Sequence, residues 1–416
     1  MIADFFALFK TDAFLGAFNF LWTLLPIWLP LLLLALWFDL WVDYKRRGFI
    51  KAQGSILLEI KLPQQMLKSP QAMELFLNNL YNIFPGNLIK VYAEGGVRPW
   101  WSLELVSIDG NVHFFIWAHK KFQSMLESQL YAQFPNIEVH EVPDYTLGVQ
   151  HDPDRIKFGW FGQIGLTKPD AYPIQTYIEY GLDKMLGEDA EAYKVDPMVA
   201  LLEYLGSLKR GEQAWVQILI QGHAKEGLKF GRIFTKPDWR ADVDKEIKKI
   251  IKEARFKPEG DQPPSSLHLS KDQQQVIAAI ERSISKTAFD TMIRVTYFAE
   301  NEVFNPNNIG GLLGSFRQFS SNTLNGFKPI WHAGYDYPFQ DFRGRKKMVN
   351  ERRILEAYKR RSFFNTPFRH FHGKPFILTT EELATLFHFP SAAVAATPTI
   401  SRVPSKRAEA PANLPV

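Results

Sequence analysis

The run from Ala13 to Phe38 carries no ionisable side chain and is bounded by Lys10 and Asp12 before it and Asp39 after it. At about 1.5 Å of rise per helical residue it reaches roughly 39 Å, against a hydrocarbon core of roughly 30 Å. The pattern therefore predicts a membrane-spanning helix over about residues 13–41, tilted or with one end in the interface. Trp22, Trp28, Trp37 and Trp41 suit a lipid–water boundary. Pro26 and Pro30 remove two backbone donors and predict a kink or break between Leu25 and Leu31, with a short hairpin as the alternative to one helix. A cleaved signal peptide would be shorter, with its basic residues in front, whereas here Lys45, Arg46 and Arg47 come after. A buried helix of a soluble core is the other reading, weakened by so long a run without charge. The basic triplet places the chain from Asp43 onward in the cytoplasm by the positive-inside rule, which makes the expected location the cytoplasmic (inner) membrane with a single pass.

Beyond the anchor the period changes. Ser55 to Leu62 reads as a strand, and Ser69-Pro70 opens a helix that the spacing of Met73, Phe76, Leu77, Leu80, Ile83 and Phe84 carries to about Phe84. Trp101 to Ile108 and Val112 to Ala118 read as strands joined by the hairpin signal Asp109-Gly110-Asn111. Lys120 to Phe134 repeats the helical pattern and Ile137 to Val142 closes as a strand. The order βαββαβ predicts a ferredoxin-like α+β sandwich.

A second α+β module of related plan is expected after the break at His151 to Arg155. It starts with Ile156 to Leu166, followed by a helix from Asp196-Pro197 to about Leu208 and a strand at Ala214 to Gln221. A charged helix at Asp238 to Arg255 exposes Lys245, Lys248, Lys249 and Lys252, a face read as solvated. Lys257 to Ser266 is a flexible insertion, Ser270 to Ser285 a helix, Thr291 to Ala299 a strand and Pro306 to Asn322 a helix. Lys346 to Phe363 is a basic helix with Met348, Ile354, Leu355 and Tyr358 inward, and Glu381 to Phe389 a short one capped by Thr380. From Ala392 the proline- and alanine-rich sequence is expected to be disordered. The fold class is thus α+β: a transmembrane segment (1–47), two ferredoxin-like modules (48–150 and 151–335, with the insertion near 257–266), a basic helical region (336–390) and a tail (391–416).

Composition changes this picture in two places. No cysteine occurs, which removes disulfides, thiolate metal sites and cysteine nucleophiles together. The net charge of +5 is unevenly spread: from Arg343 to Val416 there are fourteen Lys or Arg against five Asp or Glu. Arg343, Arg345, Lys346, Lys347, Arg352, Arg353, Lys359, Arg360 and Arg361, interleaved with Tyr358, Phe363, Phe364 and Phe368, are the candidate nucleic-acid surface. The alternative is a helix that meets an acidic partner, or anionic lipid beside the anchor.

Catalytic chemistry has no sequence support. Gly162 to Lys168 (GQIGLTK) lacks the Gly-Lys-Ser/Thr triplet of a phosphate loop, and no clear strand precedes the glycines at 310, 311 and 314. His370 and His372 have no recognisable third ligand, and His388 is a lone histidine in an apolar helix. No cofactor, metal or catalytic residue is expected.

The strand–helix series Ser55 to Val142, with HKKFQSMLESQLYAQFPNIEV within it, then LKRGEQAWVQILIQ, FRQFSSNTLNGFKP, LTTEELATLFHFP and APANLP, resembles the membrane-proximal N-terminal region of bacterial ATPases related to conjugation and type IV secretion motors. In that family the last two segments lead into a RecA-like motor with its phosphate loop. Here the sequence stops at Val416. The resemblance therefore implies a membrane-anchored, non-catalytic scaffold or docking subunit of a secretion or DNA-transfer apparatus, with the motor on a separate chain or in a longer gene. Glu381, Glu382, Leu383, Leu386, Phe387 and Phe389 are the candidate motor contact, the alternative being that they pack on their own domain. DNA and a second copy of the chain are the remaining candidate partners.

Overall fold

A computed structural model describes residues 12–63, 68–183, 195–225, 227, 238–256, 269–335 and 337–390. The insertion at 257–266, the tail at 391–416 and the extreme N-terminus lie outside the described residues.

The apolar run folds as α1 (Asp12–Thr23) and α2 (Leu25–Gln53), with the break at Leu24. Pro26 falls in the first turn of α2, where its missing N–H has no helical acceptor to lose, and Pro30 lies inside the helix. One helix near the N-terminus, α2, is thus long and apolar enough to cross a membrane. It does not stop where the apolar run ends, but continues to Gln53 and passes through Gly54 into the first strand.

Nine strands follow among the described residues: β1 (Ser55–Lys61), β2 (Trp100–Ile108), β3 (Asn111–His119), β4 (Glu138–Glu141), β5 (Ile156–Leu166), β6 (Glu212–Gly222), β7 (Ala288–Glu300), β8 (Phe327–His332) and β9 (Phe376–Thr379). They form one antiparallel sheet in the order β4-β1-β3-β2-β6-β7-β5-β8, and β9 pairs with the start of β7. The two halves expected as separate modules share this sheet. Each half puts its strands in the relative order fourth, first, third, second, and the halves meet where β2 pairs with β6 from Trp100↔Gln221 to Ile108↔Gln213. Pairing these two strands removes an exposed edge from each half. The β2–β3 turn has positive φ at Asp109 (55°) and Gly110 (82°), as a two-residue hairpin of this twist requires.

Strand alternation splits the core between the two faces. On one face Leu58, Leu103, Phe114, Val216 and Ile293 meet α3 (Pro70–Asn79), α4 (Gln123–Gln133), α5 (Met198–Gly206), α8 (Asn307–Ser315) and α10 (Thr380–Leu386). On the other, Leu57, Trp100, Phe115, Trp117 and Trp215 are covered by Phe49 and Ile50 of α2, by α9 (Arg345–Lys359), and by Phe363 and Phe364. A third cluster joins α6 (Trp239–Phe256) to α7 (Lys271–Ile284). The helix expected to reach Phe84 ends at Asn79, and that expected to reach Asn322 ends at Ser315 and continues as a 3-10 turn to Phe319. The lysines at 245, 248, 249 and 252 on α6 are exposed.

The C-terminal half of α2 is packed, not free. Val42 and Arg46 are buried, Phe38 meets Tyr92 at 5.4 Å between ring centroids, and Gly95 (φ +85°) approaches so closely that a Cβ there would lie 2.3 Å from the Lys45 carbonyl carbon.

One buried pair gives the fold a pH signature. His388 Nε2 lies 3.1 Å from Asp196 Oδ2, and its Nδ1 lies 2.8 Å from the Ala384 carbonyl. Burial pulls the imidazole down, but the Asp196 carboxylate and the backbone carbonyls outweigh it, so His388 titrates above its ordinary value. Burial pushes Asp196 up, and the His388 charge with the Met198 N–H holds it below the usual carboxylate range. The histidine's contribution is present below the ordinary imidazole pKa and fades as pH rises through its raised folded value; the aspartate's is lost as pH falls through its lowered one. Thermal midpoints of wild type and His388→Gln should therefore differ most near about pH 5–6 and converge on the alkaline side. A gap independent of pH would refute the pairing.

Candidate recognition surface

The basic region folds as α9 and the segment leading into it. Glu351, Ile354, Leu355, Ala357 and Tyr358 turn inward at helical spacing, leaving Arg345, Arg352, Arg353 and Arg360 on the outer face with Glu356 among them. Asp341 accepts hydrogen bonds from the backbone N–H groups of Lys346 (3.1 Å) and Lys347 (2.8 Å), so the helix N-terminus already holds an anion. Lys346 Nζ donates to the Gln340 carbonyl, Lys347 lies 3.6 Å from Glu351, and Arg360 pairs with Glu356 at 3.4 Å. Arg343, Arg345 and Arg352 are exposed, and their guanidinium groups form no ion pair among the described residues. Lys359 is half-buried, and the guanidinium of Arg353 lies over Phe371 at 5.1 Å.

Arg361 does not belong to this surface. It is fully buried and forms a fork with Glu104, Nε to Oε1 at 2.9 Å and Nη2 to Oε2 at 3.0 Å, and it also pairs with Asp144. Ser102, Tyr145 and Gln217 donate to the same Glu104 carboxylate. Beside them, Arg294 donates to the carbonyls of Ala357 and Ser362, and burial pulls its guanidinium down to about 9. A buried charge needs partners, and the sheet supplies them. Tyr358, Phe363 and Phe364, expected as stacking groups, are buried too, while Phe368 is half-buried. The exposed aromatics are Tyr335, Tyr337, Phe339 (78% exposed) and Phe342 (89%), immediately before the cations. Sequence reasoning passed over them, although GYDYPFQDFRGRKK holds aromatics with neither helical nor strand period beside a basic run.

The residues expected to dock a motor are interior. Leu383, Leu386, Phe387 and Phe389 are at most 2% exposed, and Phe389 packs edge-on against Phe114 and Phe134. Glu382 closes a capping box with Thr379 and accepts from Ile174 N; burial pushes its carboxyl up to about 7 against these donors. Glu381 accepts from Thr176 Oγ1 at 2.6 Å and lies 3.1 Å from Arg282. An amphipathic pattern on so short a helix is satisfied here by its own sheet and by Arg282, not by a partner.

The outer face of α9 leads to α2. Arg360 and Glu356 share a cavity of about 770 Å³ with Arg47 and Lys51 of α2, floored by Trp100, Trp117 and His119. Burial pulls the His119 imidazole down to about 4, its Nδ1 lies 3.3 Å from the Gly54 carbonyl, and its Nε2 has no hydrogen-bond partner among the described residues. His372 stacks on Trp331 at 4.0 Å. No group of three or more metal-ligating side chains occurs among the described residues.

The fold and surface together define an α+β protein with one candidate membrane span among the described residues and an exposed basic, aromatic strip. Residues 57–402 match the family described as Domain of unknown function (DUF8128), and the chain belongs to that family. No curated protein matches it.

Proposed function

We propose that the protein is a membrane-anchored, non-catalytic subunit of a secretion or DNA-transfer apparatus, built on two fused ferredoxin-like halves. It stands at the cytoplasmic face of the inner membrane and works beside a motor ATPase on another chain. The resemblance to the membrane-proximal region of secretion motors supports the setting. The observation that carries the reading is the continuity of cations from Arg343 along the outer face of α9 to Arg360, Arg47 and Lys51 at the anchor. Such a track offers salt-sensitive affinity for a nucleic-acid backbone, and Phe339 and Phe342 offer faces for unpaired bases.

Titrating the full chain in nanodiscs with single-stranded and duplex DNA at rising salt tests this. Four contacts on the duplex should give a log–log slope near about −3.6, or roughly a hundredfold loss between about 50 and 200 mM salt. Replacing Arg345, Arg352, Arg353 and Arg360 together by Gln should flatten that slope. Phe339→Ala with Phe342→Ala should weaken single-stranded DNA by about fivefold or more. Absence of binding at low salt would refute the nucleic-acid contact, and steady magnesium-dependent ATP turnover by the purified chain would refute the non-catalytic assignment.

A further inference from the structure

Between α3 and β2 the chain leaves four large apolar side chains in the open. Phe84 is 71% exposed, Leu88 56% and Ile89 71%, with Ile83 beside them. So much uncovered apolar surface on one loop of a folded domain calls for an occupant.

The position of the loop says which. Ile89 leads directly into the turn Lys90–Glu94, where Tyr92 packs on Phe38 at 5.4 Å, and Gly95 lies against the backbone of Lys45 and Arg46. Phe38 is the last residue of the uncharged run, and Trp37, Trp41 and Tyr44 stand exposed around it, the side chains that favour a lipid–water boundary. The loop is therefore fixed to α2 at the level where hydrocarbon gives way to headgroups. Leu88 is one helical turn before Tyr92, so the face that meets the anchor continues into Leu88. The loop lines a cleft of about 1080 Å³ that also holds Lys225, Arg240 beside its partner Asp238, and Lys286 paired with Glu74, and Lys90 is exposed next to Ile89. Apolar side chains flanked by cations match the profile of a bilayer interface containing anionic lipid.

We infer that residues 83–89 form a second, interfacial membrane contact, in which Phe84, Leu88 and Ile89 enter the boundary region beside α2. This rests on α2 being the span, because the lipid surface proposed for the loop is the one that surrounds the helix. A helix alone leaves the domain free to rotate about its axis. A loop held in the interface at a fixed distance from that axis sets the domain's orientation.

The absence of cysteine makes the test direct. Single spin labels would be placed through Phe84→Cys, Leu88→Cys and Ile89→Cys in the full chain, reconstituted in nanodiscs of phosphatidylethanolamine and phosphatidylglycerol. Leu34→Cys reports the span, and Val349→Cys, exposed on α9, reports bulk water. The expected result is a ratio of oxygen to nickel-chelate accessibility at 84, 88 and 89 severalfold above that at 349 and approaching that at 34. A lipid-like 34 with water-like 84, 88 and 89 would overturn the loop contact alone. Low access of both reagents at the loop, the mark of a protein–protein contact, would overturn it equally. A water-like 34 would remove the span, and the loop contact with it.

Discussion

Arg361→Ala should lower the stability of the protein by about 3–5 kcal/mol, because it leaves the Glu104 carboxylate buried with its strongest partner gone. Glu104 is fully buried, and its other donors, Ser102, Tyr145 and Gln217, are neutral groups. The backbone adds a second reason. Arg361 has φ +47° just past the end of α9. Its N–H donates to the Tyr358 carbonyl at 2.9 Å and Ser362 N–H to the Ala357 carbonyl at 3.0 Å, a left-handed helix stop that usually takes glycine. Arginine holds that conformation here because its side chain is locked into the sheet. Arg361→Gly should thus be milder than Arg361→Ala by about 1–2 kcal/mol while still losing the ion pair. Arg343→Ala, at an exposed position, should stay within about 0.5 kcal/mol of wild type. Chemical denaturation of the four proteins, followed by tryptophan fluorescence, distinguishes these. Equal midpoints for Arg361→Ala and Arg343→Ala would show that the buried pair contributes nothing to stability.

Gly95→Ala should detach the C-terminal half of α2 from the domain without unfolding the sheet. The added Cβ would fall 2.3 Å from the Lys45 carbonyl carbon and 2.4 Å from its oxygen, and these are backbone atoms that cannot swing aside. The positive φ adds about 1–2 kcal/mol of strain for any side chain. Hydrogen exchange should then rise in residues 42–53 and 88–97, while β2, β6 and β7 keep their protection. Unaltered exchange at Val42 and Arg46 would mean that the contact at Gly95 does not hold the helix.

Much of the architecture could be read from the residues, and the failures have physical causes. The long apolar helix, the Asp109-Gly110 hairpin and the long strands β2, β6 and β7 announce themselves through apolar runs and turn chemistry. Strand β8 is not legible in the sequence because Phe327–His332 is an edge strand with Pro329 inside it and little buried surface, so it has no alternating pattern. Four-residue β9 is too short to carry a period. Nothing local announces that β2 and β6 pair across the two halves, since both read as buried strands whether their edges meet or not. The charge run picks out α9, yet it does not separate Arg360, which faces solvent, from Arg361, which the left-handed turn swings into the interior. Likewise the acidic, apolar pattern of Glu381 to Phe389 looks the same whether its partner is another protein or its own sheet.

The way α2 enters the sheet bears on how a force applied to that helix would be carried. The helix passes through Gly54 into β1, which is flanked by β3 on one side and β4 on the other. A pull on α2 along β1 would therefore strain that strand's hydrogen bonds to both neighbours in shear, many at once, instead of peeling them one by one from an edge. The junction between α2 and the sheet is built as a mechanical fastening, one that loads interior hydrogen bonds together and leaves no edge to unzip.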